Sequence, residues 1–326
     1  MQLEKAIFSI KNQQDFKQTA LEVFQFQYQN NTVYNKFCSL INRHPNTVKE
    51  LEDIPFLPIS FFKSHSIKTT SFSPEIVFTS SGTTGSTPSR HPVKKLSLYQ
   101  QSFINCFTES YGAIKDYVVL ALLPSYLERK GSSLVTMADY FIKESKHPES
   151  GFYLNELEQL GKFLEKLDKT GKKILLIGVS FALLDLIEQK KFRLKNTIVM
   201  ETGGMKGRRK EIIRKELHEI LKNGFGVSKI HSEYGMTELF SQAYSKGDGI
   251  FECPKHMQFL IRDPEDALSL LPENKTGGIN VVDLANLYSC AFIATQDLGK
   301  KTGTNQYEIL GRFDNSDVRG CNLMAL

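Results

Sequence analysis

The residues best equipped for chemistry lie between Glu75 and His91, E-I-V-F-T-S-S-G-T-T-G-S-T-P-S-R-H, where a short apolar run passes straight into hydroxyls and glycines. Ile76, Val77 and Phe78 favour a strand, while Gly82 and Gly85 let the chain turn sharply and approach a ligand closely. Thr79, Ser80, Ser81, Thr83 and Thr84 supply hydroxyls and the turning backbone supplies N–H donors, so an anionic oxygen can be surrounded without a fixed buried charge. Arg90 adds a planar guanidinium at the exit, a geometry suited to phosphate. The phosphate loop of kinase-like and GTPase folds is excluded on spacing, because no glycine-lysine-Ser/Thr run closes this one. Taken alone, the stretch is equally a Ser/Thr-rich surface turn, so its meaning depends on what the rest of the chain places beside it.

Other reactive side chains are scattered. Five cysteines, an odd number in 326 residues, fit reduced thiols better than a disulfide framework. Cys38 and Cys106 sit within helical patterns and read as core. Cys253 and His256, in C-P-K-H, have half the spacing of a zinc site with no second pair nearby, which leaves zinc binding open. His231 either lines a pocket or satisfies the core. The formal charge of +5 is small and spread along the chain, which argues for neither nucleic acid nor a membrane surface as partner, although anionic substrates would not be repelled. The first residues carry charges where a secretory leader needs an apolar run, and the longest apolar stretch, Ile174 to Ile187, is interrupted by Asp185 and too short to span a bilayer. These features predict a cytoplasmic protein without a membrane span.

The elements that must position the loop follow from periodicity. Asp15 to Asn42 reads as helix with a break at Asn30-Asn31, and residues 1–53 are expected to form a helical flap. Ile54 to Lys63 is extended, since each proline disfavours helix for itself and its predecessor. Leu96 to Ser110 reads as helix. From Asp116 to Tyr234 apolar strands alternate with amphipathic helices: Tyr117 to Leu123 and Ser132 to Lys143, Lys173 to Ile177 and Phe181 to Gln189, Thr197 to Met200 and Arg208 to Leu221, then Lys229 to Ser232. This alternation predicts an α/β core over residues 54–250, with a layered, mostly parallel sheet. In such sheets ligands sit beyond the carboxyl ends of the strands, and the turns after Phe78, Met200 and Glu233 are all expected on that edge. Residues 251–326 change to short strands, at Met257 to Ile261, Gly278 to Leu284, Cys290 to Thr295 and Tyr307 to Leu310, expected to form a small terminal β subdomain with a C-terminal tail.

Four stretches stand in a fixed order: F-T-S-S-G-T-T-G-S-T-P-S-R at Phe78 to Arg90, Y-G-M-T-E at Tyr234 to Glu238, T-Q-D-L-G at Thr295 to Gly299, and G-R-F-D-N-S-D-V-R-G at Gly311 to Gly320. Together they resemble the adenylate-forming superfamily, which includes acyl-CoA synthetases, firefly-type luciferases and peptide-synthetase adenylation domains. F-L-P-I-S-F-F-K at Phe56 to Lys63, P-S-Y-L-E-R-K-G-S-S-L at Pro124 to Leu134 and R-G-C-N-L-M at Arg319 to Met324 are similar to the LuxE-type acyl-protein synthetases. A further similarity is to the phenylacetate-CoA ligases. The motif resemblance runs from about Ile54 to the end of the sequence, with Met1 to Asp53 matching only loosely.

The resemblance implies the large N-terminal-type domain of these enzymes, with the C-terminal lid domain expected to be absent. It implies ATP and Mg²⁺ as cofactors, with Ser80, Ser81, Gly82, Thr83, Thr84, Gly85 and Arg90 around the β and γ phosphates. Thr237 would bond the α-phosphate and Glu238 would hold the metal, both in catalytic roles. Tyr234 would stack on adenine, Gly203 and Gly204 would let the backbone lie close to the base, and Asp297 with Arg312 would hold the ribose. Gln296 departs from the glycine usual before this aspartate, so the local backbone is expected to differ. Cys321 occupies the position of the acyl-carrying cysteine, with Arg319 favouring its thiolate and Gly320 supplying a flexible link.

The function implied is an ATP-dependent acyl-protein synthetase. It would adenylate a carboxylic acid, such as a fatty acid, and pass the acyl group through its own Cys321 to a partner protein such as a reductase or carrier. The alternatives are an acyl- or aryl-CoA ligase of the phenylacetate type and a catalytically inactive ATP- or AMP-binding protein. Each predicted side chain also has a plain structural reading: a turn tyrosine, an early-helix acid, surface charges.

Overall fold

The structure, a computed structural model, describes residues 2–80, 87–124, 131–154, 156–203 and 212–313. The chain divides into two compact units, one from Phe72 to Pro254 and one combining Met1–Ser71 with the segment from Lys255 onward.

The Phe72–Pro254 unit is built on a sheet whose strands run, in spatial order, Ile250–Glu252, Ala243–Ser245, His231–Tyr234, Thr197–Thr202, Ile174–Val179, Val118–Leu122 and Gly151–Tyr153. The five strands from His231–Tyr234 to Gly151–Tyr153 pair in parallel, and the two at the other end are antiparallel. Val118–Leu122 and Ile174–Val179 are buried at every position, as expected of parallel strands covered on both faces, and this is why their sequences are unbroken apolar runs. The helices Leu96–Tyr111, Ser133–Ser145, Leu157–Asp168, Ser180–Gln189 and Arg214–Phe225 accompany it. The alternation predicted from sequence omits Gly151–Tyr153 and Leu157–Asp168. It also starts the last helix earlier, at Arg208, a residue outside the described ones.

One expectation is corrected. Ile76–Thr79 does not join the main sheet but forms a separate two-stranded hairpin with Arg90–Val93, pairing Phe78 with His91 and Thr79 with Arg90. The returning strand takes up the hydrogen-bonding edge that a parallel neighbour would need. The ends of Thr197–Thr202 and His231–Tyr234 do share the carboxyl edge of the sheet, with Thr202 opposite Glu233.

The second unit is an antiparallel meander of Met257–Arg262, Gly277–Asp283, Phe292–Gly303 and Gln306–Arg312, with Leu57–Pro58 added in parallel to Phe292–Gly303. Its last two strands are longer than predicted and form one hairpin. Gln296 therefore lies inside a strand. The N-terminal helices Gln13–Asn30 and Thr32–Leu40 meet at Asn31, whose side chain caps the second by accepting from the Tyr34 N–H. They are tied to the C-terminal part by buried amides. Gln27 donates to the carbonyls of Asn286 and Leu287 and accepts from the Ala291 N–H, and Asn31 donates to the Ser289 carbonyl. Every polar atom of the Gln27 amide is thus engaged where an unmet one would cost about 1–3 kcal/mol.

Among the described residues no helix is long and apolar enough to cross a membrane.

Candidate functional site

Ser80 marks the neck of the hydroxyl-rich loop. Its N–H donates to the Ser89 carbonyl at 3.1 Å and its hydroxyl oxygen accepts from the Ser89 N–H at 2.8 Å, which fixes the chain on both sides of the turn. Ser81, Gly82, Thr83, Thr84 and Gly85 lie outside the described residues. Arg90 is exposed at the start of the return strand. Thr79 is held from the other side, its N–H bonded to the Gly131 carbonyl at 2.8 Å. A Cβ on Gly131 would meet the Val77 carbonyl at 2.7 Å, and the residue has a φ of +86°, so only glycine fits there without strain.

The Y-G-M-T-E segment leaves the carboxyl end of the His231–Tyr234 strand and turns at Met236–Leu239, where the Leu239 N–H reaches the Met236 carbonyl. Glu238 is buried and Thr237 half-buried; the Tyr234 ring is buried with its edge toward Phe251. Gly203 follows the Thr197–Thr202 strand at φ +67°, a left-handed conformation, and its carbonyl accepts from the Ser180 hydroxyl at 2.7 Å. Gly204 lies outside the described residues.

Two of these segments, 146 positions apart, are bonded to each other. His91, on the strand leaving the loop, is fully buried and its Nδ1 lies 2.8 Å from the Thr237 carbonyl. A carbonyl only accepts, so Nδ1 carries the proton. Burial lowers the ring's pKa to about 4, against a smaller opposing effect of that hydrogen bond. The ring packs on Phe240 at 5.0 Å, Phe240 on Tyr99 at 5.3 Å and Tyr99 on Phe78 at 5.0 Å. Helix Leu96–Tyr111 also bonds the following segment, through Ser102 to Ser241 and the Gln242 N–H to the Cys106 sulfur.

The sheet carries two buried carboxylates that the sequence did not reveal. Glu201 lies 3.3 Å from Arg214 Nε and 3.5 Å from His218 Nε2. Burial pushes its pKa up, but the His218 hydrogen bond, the Arg214 charge and the Ser232 hydroxyl together outweigh that and hold it below the ordinary glutamate value. Glu233, one position on across the strand pair, accepts a hydrogen bond from Thr202, and burial raises its pKa to about 7 against that bond, with the Glu201 charge adding to the rise. Ser232, His218 and Glu201 have the composition of a hydrolytic triad without its wiring. The serine oxygen and the carboxylate both approach the same His218 nitrogen, at 3.3 and 3.5 Å, and Ser232 is fully buried.

In the other unit Asp297 and Arg312 are register partners on adjacent strands, with Arg312 Nε donating to Asp297 at 3.1 Å. The Asp297 side chain is buried and the Arg312 side chain 79% exposed. Motif order alone pointed to this pair, and the hairpin brings it together. His231 bonds Tyr111 through Nδ1 at 3.0 Å, and burial, with the nearby lysines 229 and 246, takes its pKa down to about 4. His256 is buried with its ring edge against Phe8, its pKa pushed down to about 3 by burial, and Cys253 is buried. No group of three or more His, Cys, Asp or Glu able to hold a metal ion occurs among the described residues. Cys38 and Cys106 are buried, as read from their helical patterns. Cys321 lies outside the described residues.

The model of the family described as acyl-protein synthetase, LuxE, matches residues 6–113. The match takes in the N-terminal helices, which the motifs had placed outside the close resemblance. No curated protein matches the sequence. Among solved structures, 2-hydroxyisobutyryl-CoA ligase in complex with 2-HIB-AMP and CoA in the thioesterification state superposes with a TM-score of 0.68 at 13% identity, over 94% of this chain and 70% of the ligase. Its open conformation gives 0.66 at 12% identity, over 94% and 72%. ATP-bound MatB from Rhodopseudomonas palustris gives 0.54 at 16%, over 75% of this chain and 50% of that one. The chain thus has the fold of adenylate-forming ligases. Over residues 6–113 the chain is similar to the LuxE acyl-protein synthetase family.

Proposed function

We propose that this chain is an ATP-dependent, acid-adenylating ligase of the acyl-protein synthetase type. The observation that carries this reading is the bond between the loop's return strand and the Thr237 turn, the two segments assigned to phosphate. The LuxE match and the ligase fold support it.

In the first step a carboxylate oxygen of the acid bonds to the α-phosphorus of ATP and the bond to the leaving pyrophosphate breaks. Like charges must be brought together for this, so positioning and electrostatics do most of the work. The hydroxyls and backbone N–H groups of Ser80 to Gly85, with Arg90, would hold the β and γ phosphates, and the Thr237 hydroxyl the α-phosphate. Tyr234, Gly203 and Gly204 would contact adenine, and Asp297 with Arg312 the ribose. The Glu238 carboxylate, together with phosphate oxygens, would hold Mg²⁺, which would supply neutralisation of phosphate charge there. In the second step the Cys321 thiolate attacks the acyl carbon, a C–S bond forms, the C–O bond to AMP breaks, and a partner protein then takes the acyl group. A fatty acid is the proposed substrate and the cytoplasm the proposed site of action.

The test is incubation with MgATP and a radiolabelled long-chain fatty acid. Wild type is expected to retain label through denaturing electrophoresis and lose it to hydroxylamine, whereas Cys321→Ala keeps acid-dependent pyrophosphate exchange but stays unlabelled. Equal labelling of Cys321→Ala overturns the carrier role. A second reading, CoA ligase, is favoured by the CoA-bound ligase among the structural neighbours; release of free acyl-CoA by the purified protein would establish it instead.

A further inference from the structure

We propose that His91 is a positioning residue for adenylation: it fixes the Thr237 peptide to the Arg90–Val93 strand, so that the turn assigned to the α-phosphate keeps one orientation relative to that strand. The inference rests on the adenylation reading and adds to it a residue that no motif singled out.

The arrangement is specific. Thr237 belongs to a tight turn closed by the Leu239 N–H on the Met236 carbonyl, and a donor on the Thr237 carbonyl constrains the orientation of that peptide. That donor is an imidazole on a two-stranded hairpin, directly opposite Phe78 and one residue from Arg90. The ring cannot swing, since it is fully buried against Phe240 and the Phe240, Tyr99 and Phe78 rings continue the packing back to its own hairpin. A flexible donor such as serine would leave the turn free to rotate, and a charged one would be costly in this enclosure. The neutral ring keeps the Nδ1 proton throughout the physiological pH range, because burial lowers its pKa to about 4. His91 is assigned no contact with substrate. It acts through Thr237.

The experiment compares His91→Asn, whose amide nitrogen falls near the Nδ1 position, with His91→Gln, which carries the same amide one methylene further out, and His91→Phe, which keeps the ring packing without a donor. The readouts are kcat and KM for ATP in acid-dependent ATP–pyrophosphate exchange, with Tm measured alongside. His91→Phe and His91→Gln are expected to lose about 10- to 100-fold in kcat, the scale of a displaced reacting group, with KM for ATP changing much less. His91→Asn is expected to recover at least fivefold of that loss, roughly 1 kcal/mol of barrier. Asparagine no better than glutamine, kcat unchanged in His91→Phe, or losses that follow Tm across all three variants would each overturn the role. If exchange is absent in wild type the adenylation reading itself fails. An active wild type with indistinguishable variants removes this inference alone.

Discussion

Glu201 and Glu233 stand on adjacent parallel strands of one sheet, a single position out of register, and both are buried, yet they hold protons oppositely. Their burial is nearly the same and so does not explain the difference. Glu201 faces Arg214, His218 and the hydroxyls of Ser180 and Ser232, which favour the charged form. Glu233 points to the opposite face, where it has Thr202, faces Tyr244 across the strand pair and feels the negative charge of Glu201. The strand alternation that sends consecutive residues to opposite faces thus separates a carboxylate held charged from one that still carries its proton in about half the molecules near pH 7, within a single pair of strands.

The sharpest way to break this comparison is to make the same neutral substitution at both positions. Glu201→Gln removes the charge that Arg214 and His218 answer, and is expected to lower stability by on the order of 3 kcal/mol in urea unfolding at pH 7. It should also lower the pKa of Glu233, by removing the like charge that helps to raise it. A Glu201→Gln protein as stable as wild type would show the network to be incidental.

Glu233→Gln is expected to act in the other direction, and only above about pH 4.5. The folded pKa of Glu233 is about 7 against an ordinary 4.5, so the folded chain binds the extra proton between those values. The stability contribution is therefore complete below about pH 4.5 and is lost as pH rises through 7, with a slope approaching about 1.4 kcal/mol per pH unit. Glutamine has no proton to lose. The variant should flatten that slope and at pH 8 exceed wild type by on the order of 2 kcal/mol. Glu201 runs oppositely, its contribution being present above the ordinary glutamate pKa and lost in acid, so a pH series on the two variants separates the sites.

What the sequence discloses follows the same division between local pattern and cross-strand register. Ile174–Val179 and Val118–Leu122 were legible because a strand buried on both faces must be apolar throughout. Leu157–Asp168 carries Leu157, Leu160, Leu164 and Leu167 at helical spacing and could have been read, but its polar residues obscured the stripe. Gln296 to Gly303 falls between the expected strands Cys290 to Thr295 and Tyr307 to Leu310, yet it belongs to the Phe292–Gly303 strand. In the hairpin Gly299 is required by close approach, as a Cβ there would lie 2.6 Å from the Glu308 carbonyl. Motif order named Asp297 and Arg312, but their pairing is a matter of hairpin register. His91 with Thr237 and Glu201 with Glu233 gave no signal, since charged or polar residues in short strands look solvent-facing until the pairing is known.

The smallest of these effects tests the hydroxyl on which Glu233 depends. Thr202→Val preserves shape and removes the donor, and because that bond lowers the Glu233 pKa, its loss should raise the pKa further and move the sloping part of the stability curve to higher pH. The expected cost is about 1 kcal/mol at pH 8, where the carboxylate must then stay charged without a donor, and near zero at pH 5, where the acid is neutral and can turn its own proton to another acceptor. Carbon-13 NMR of the labelled Glu233 carboxyl reads the shift directly. Thr202 and Glu233 immediately precede Gly203 and Tyr234, so the same titration followed by ATP affinity would show whether the proton on Glu233 is felt at the two residues assigned to adenine. A Glu233 pKa unchanged in Thr202→Val would mean that burial and the Glu201 charge alone set it, and the contrast between the two carboxylates would then rest on Glu201's partners only.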